Sequence, residues 1–166
     1  MVYWFPRMDE TTAYHEAGHA FAASWLGARV RSVTIEPDWD DGPERCGATQ
    51  VEWDYGRFTQ REVCEKSILV ALAGPVAEAI HRGEPYHPGV VPEWASDWRT
   101  AWEATAILSL PDRARLEYLE NVSVQLYRLI NRDEVWAAIA AIVDSLQAHD
   151  RLEGDEIDDI VEVWLS

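Results

Sequence analysis

His15-Glu16-Ala17-Gly18-His19 reads H-E-x-x-H, and nothing after it ends a helix before Gly27. On a helix, two imidazoles four residues apart project from one face, one turn apart. Both can then reach one metal ion, zinc being the usual one. Glu16 follows the first histidine and can reach water on that metal, the place of a general base. The flanking residues, Thr11 to Ala23, are mostly small and apolar. Two histidines and a glutamate buried among such residues need polar partners. A surface helix with incidental histidines is the blander reading of the same five residues.

Composition narrows the class. The chain has 166 residues, 48% of them hydrophobic, which suits one globular domain with a real core. The expected extent is a single domain over 1–166. The metal-site portion covers about 9–110 and a helical C-terminal portion about 111–166. The net charge of −16 speaks against binding nucleic acid. The one lysine, Lys66, follows Glu65, so no G-x-x-x-x-G-K-[ST] phosphate loop exists. The uncharged run Ser67 to Ala77 is too short for a bilayer and contains Gly74-Pro75, and the N-terminus lacks signal-peptide features. Cys46 and Cys64 fit a reducing compartment. A soluble, cytoplasmic protein without membrane contact is the expectation.

Local signals give a mainly α (α+β) architecture. A helix is expected over Asp9–Leu26, capped by Asp9, Thr11 or Thr12 and ended by Gly27. The aromatic residues before it form an arm over 1–8. Arg29–Glu36 reads as a strand with imperfect alternation, and Ala48–Trp53 as its partner across a loop at Pro37–Gly47. One edge of this small sheet beside the metal helix could hold an extended peptide, although a plain hairpin fits equally. Thr59 and Glu62 have capping-box spacing at the start of a helix reaching Arg82. Gly74-Pro75 predicts a kink there, or a fresh helical turn beginning at Pro75. His81–Trp94, with three prolines and two glycines, reads as a loop. Helices are expected from about Ser96-Asp97 to Leu110, from Pro111-Asp112 to Asn131, over 133–149, and over Asp155–Leu165. Trp94, Trp98 and Trp102 recur every four residues and form a core or interface stripe. Trp94 and Trp98 are also candidates for lining a substrate site.

Three segments together resemble the peptidase domain of the FtsH-type ATP-dependent zinc proteases. They are Thr12-Ala13-Tyr14-His15-Glu16-Ala17-Gly18-His19-Ala20, Leu72-Ala73-Gly74-Pro75-Val76-Ala77-Glu78-Ala79 and Ala95-Ser96-Asp97-Trp98-Arg99-Thr100-Ala101. Leu152 to Ile157 also resembles the end of that domain, so the likeness spans about 9–165. The resemblance implies zinc ligation by His15, His19 and Asp97, with Glu16 as the base. Three protein ligands and one water is also what a catalytic zinc takes. Helix capping is the competing role for Asp97. Glu78 is a rival ligand, since many H-E-x-x-H enzymes use a downstream glutamate. The resemblance instead places it behind a zinc-binding histidine, fixing the ring's tautomer. Its plain alternative is an exposed i,i+4 pair with Arg82. His81, His87 and His149 read as ordinary surface histidines.

The departures count too. Members of that family carry membrane helices and an ATPase module before the peptidase, and this chain shows neither. Pro75 stands where the family commonly has arginine. The expectation is a zinc metalloendopeptidase acting on peptides or unfolded protein segments. A homo-oligomer or a separate ATPase partner is compatible with it. The rival is a peptide-binding or partner-gated regulatory module that keeps the zinc site. A structural zinc site fits less well, because Cys46 and Cys64 have no metal-binding spacing.

Overall fold

The H-E-x-x-H segment lies inside α1, Met8–Trp25, the central helix. The computed structural model describes residues 8–36, 48–83, 91 and 94–166, with backbone alone at 8 and 9. Of the arm expected over 1–8, Met8 belongs to α1 and residues 1–7 lie outside the described residues, as do the loop at 37–47, Cys46 and His87. From Glu16 to Ala23 every residue of α1 is buried, as befits a helix apolar on all sides. It starts at Met8, so Asp9, Thr11 and Thr12 lie within it and do not cap it. Gly27 follows with φ of 87°, the left-handed conformation in which glycine ends a helix.

The strands β1, Arg29–Thr34, and β2, Ala48–Glu52, form the expected antiparallel pair. The register shifts between Val30 and Ser32. That bulge explains the imperfect alternation, because Ser32 and Val33 are both buried while Arg31 turns outward to pair with Glu52. A third strand, β3, Arg151–Glu153, pairs antiparallel with the other side of β1, giving the order β2-β1-β3. Only Leu152 of β3 is buried. A polar three-residue strand carries no periodic signal, so its absence from the sequence reading is understandable.

The helix α2, Gln60–Arg82, opens with the Thr59/Glu62 capping box and closes at Gly83. It runs through Pro75 as one helix, so no new helix begins there. Proline inside a helix costs about 3 kcal/mol. The turns around it, Ala71 to Ala79, are buried throughout, and their packing outweighs that cost. At Gly18, a Cβ would lie 2.5 Å from the Ala73 carbonyl oxygen and 2.7 Å from the Ala77 Cβ. Glycine there lets α1 and α2 cross in close contact.

The remaining α-helices among the described residues are α3, Ala95–Ala104, α4, Asp112–Ile130, α5, Asp133–His149, and α6, Gly154–Leu165. The fold is therefore mainly α with a small antiparallel sheet. The first of these four stops earlier than the expected Leu110 and passes into a turn of 3-10 helix, Thr105–Leu108. Arg115 of α4 secures that junction. Its guanidinium donates to Thr105 Oγ1 and to the Trp102 carbonyl, each at 2.7 Å, and lies 3.9 Å above the Trp102 ring. Phe21, Ile68 and Leu72 join Leu119, Ile139, Ile142 and Ile157 in one core. No described helix is long and apolar enough to cross a membrane.

Candidate metal centre

Side chains of two helices converge on one point. His15 and His19 stand one turn apart on α1, and Asp97 comes from the first turn of α3. The position before α3 belongs to Trp94, so Asp97 does not cap that helix. One Asp97 oxygen lies 2.8 Å from His15 Nε2 and the other 3.4 Å from His19 Nε2. The two Nε2 atoms are 3.1 Å apart. Two nitrogens bound to one tetrahedral ion at the usual zinc distances lie about 3.3 Å apart. Among the described residues, His15, His19 and Asp97 could hold a metal ion, their ligand atoms all lying within 4.8 Å of one another. Three protein ligands leave a coordination position for water or substrate.

The far side of each imidazole is fixed. His15 Nδ1 donates to Glu78 at 2.9 Å, and His19 Nδ1 donates to the Val70 carbonyl at 2.7 Å. In the neutral ring, each bond keeps the proton on Nδ1 and leaves the Nε2 lone pair for a metal. The Gly74 position completes the cradle. A Cβ there would meet His19 Nε2 at 2.3 Å and the neighbouring ring carbons at 2.5 and 2.7 Å. The imidazole lies where any larger residue would put its side chain. The donor set, its convergence and this cradle all fit a divalent metal.

Glu78 is buried on α2 and does two jobs that the sequence left as alternatives. One oxygen accepts from His15 and from the Trp94 indole N–H; the other pairs with Arg82 at 2.9 Å. Burial works against its charge, but these donors hold its pKa below the ordinary value. With Glu78 engaged on His15 Nδ1, it stands behind that histidine and not among the converging atoms. Trp94 is only 3% exposed, so it braces Glu78 from behind and does not line a surface groove. Trp98 and Trp102 are half-buried and pack on the core. A Trp94→Phe protein is expected to bind zinc up to about 10-fold more weakly, at most the low end of what losing a ligand's own partner costs, because Trp94 acts through Glu78. Chelator competition measures this, and an unchanged affinity would remove Trp94 from the metal centre.

Burial also disfavours charge on His15, but Asp97 and Glu78 outweigh it and push its pKa up to about 10. His19 is shifted upward against burial by Asp97, and Asp97 is held well below the carboxylate range by both histidines. A proton and a metal thus compete for His15 Nε2. A raised pKa means that the proton is bound at neutral pH and lost only as pH rises through about 10. Zinc affinity is expected to climb at least about 10-fold per pH unit between about pH 7 and about pH 9, at least one proton leaving per ion bound. Zinc titrations across that range test it, and a flat affinity would contradict it.

Glu16, 7% exposed, points its charge close enough to favour protonation of both histidines. Its carboxylate accepts from Thr49 Oγ1 on β2 at 2.5 Å. Thr49 was invisible to sequence reasoning, because a threonine in a short strand is an ordinary residue. The isolated Gly74 in a helical pattern was a usable signal, since such a glycine often has a packing reason. His81 is no free surface histidine. It stacks on Tyr14 at 4.0 Å, and Tyr14 stacks on Trp136 at 5.2 Å. His149 is exposed. No protein-family model matches this chain, and no curated protein sequence does.

Proposed function

We propose that this chain is a zinc-dependent metallopeptidase that hydrolyses peptides or unfolded protein segments. The observation that carries this reading is the pair of histidines with anchored Nδ1 atoms and Nε2 atoms turned to one point beside Asp97. His15, His19 and Asp97 hold the ion. Bound there, zinc supplies Lewis acidity and brings the pKa of water toward ~7. Glu16 takes a proton from the attacking water and later passes it to the leaving amine. Glu78 and the Val70 carbonyl keep both histidines in the tautomer that binds metal. The resemblance to FtsH-type peptidase domains points the same way.

Peptides are favoured as substrates by the place of β2. It forms an edge of the described sheet, and its Thr49 touches the base. An extended chain added along that edge would run beside Glu16. Cleavage of unfolded casein tests the reading. The zinc-loaded chain is expected to cut it, the EDTA-treated chain to leave it intact, and restored zinc to restore cutting. Casein left whole by a chain carrying one zinc ion would overturn the peptidase reading and favour a peptide-binding regulatory module.

A further inference from the structure

We propose that Thr49 is the positioning residue of the general base, a role that rests on the peptidase reading above. Thr49 Oγ1 lies 2.5 Å from Glu16 Oε2 and 3.3 Å from the Glu16 carbonyl oxygen. A hydroxyl has one proton to give, and the closer, charged oxygen receives it. Oε2 is thereby occupied, and Oε1 is the oxygen left to take a proton from water.

The strand makes this donor a rigid one. Thr49 pairs with Val33 on β1, and Val33 is fully buried. Side chains of paired residues lie on the same face of a sheet, so Thr49 turns inward toward α1 while its neighbour Gln50 is exposed. Threonine is stiff at χ1. The hydroxyl is therefore placed by the sheet and not by a mobile loop. Glu16 has χ angles of its own to settle. As a buried carboxylate it costs free energy unless it is hydrogen-bonded. Without the hydroxyl, nothing from the sheet holds Oε2, and the carboxylate swings away from the water it must deprotonate.

Two substitutions separate the hydroxyl from the methyl group. Thr49→Val keeps the shape and removes the donor; Thr49→Ser keeps the donor. Casein cleavage, zinc affinity and thermal stability are measured on the full chain for both. The Val protein is expected to lose about 10- to 100-fold in kcat, part of what a positioned base contributes. Its KM and zinc affinity are expected to stay within about twofold. The Ser protein is expected to recover most of the parent's kcat. A Val protein with the parent's kcat, or a Ser protein as impaired as the Val one, overturns the assignment. A crystal structure of the Val protein gives an answer that needs no turnover. Glu16 is expected to leave its position while His15 and His19 stay. A Glu16 carboxylate in its original place sinks the proposal even if the parent cleaves. A parent that does not cleave sinks the peptidase reading, and the crystal structure still decides the role of Thr49.

Discussion

A Glu16→Gln protein is expected to cleave unfolded casein at least about 100-fold more slowly while binding zinc within a few-fold of the parent. Glutamine keeps the shape of the side chain and can still accept from Thr49 Oγ1. It cannot take a proton from water at neutral pH. The metal affinity is spared because the converging atoms belong to His15, His19 and Asp97. The two readouts together separate a base from a ligand. Loss of zinc along with activity would place Glu16 among the ligands. Parent-like cleavage by the variant would show that another group handles the proton.

Gly74→Ala is expected to weaken zinc binding by at least about 100-fold, because it attacks a ligand directly. The added methyl would sit 2.3 Å from His19 Nε2. The ring cannot yield without breaking its bond to the Val70 carbonyl, and loss of an anchoring bond alone commonly costs about 10- to 100-fold in metal affinity. The effect on the helix has the opposite sign. Alanine is a better helix former than glycine by about 0.5–1 kcal/mol. The buried clash and the broken bond outweigh that gain, so with zinc chelated the variant is expected to stay folded but to melt below the parent. Zinc affinity lost by a variant that is still folded at the assay temperature, as far-UV circular dichroism shows, is the signature of a cradle. If zinc binding stays at the parent's level, the space over Gly74 does not serve His19.

The motif and the helices were legible because each has a local cause. His15, Glu16 and His19 follow the helical repeat, Thr59 and Glu62 the capping box, and Gly27 the left-handed helix end. The bulge at Arg31 and the continuity of α2 through Pro75 were not, since both are decided by packing from elsewhere in the chain. The site divides in the same way. The i,i+4 pair on α1 is written in the sequence, whereas Asp97 lies 82 positions from His15 and could equally have capped its own helix. Glu78 was open between two partners, and the fold gives it both, Arg82 on its own helix and His15 across the interface. Thr49 and Trp94 matter through contacts 33 and 16 positions away, which no local pattern encodes.

Anomalous X-ray scattering at the zinc edge, from crystals of the zinc-loaded chain, tests the metal centre most directly. One peak is predicted, bonded to His15 Nε2, His19 Nε2 and an Asp97 oxygen at about 2.0–2.2 Å, with Glu78 outside the coordination shell. A chain that takes up no zinc, or a peak held by other residues, would contradict the account.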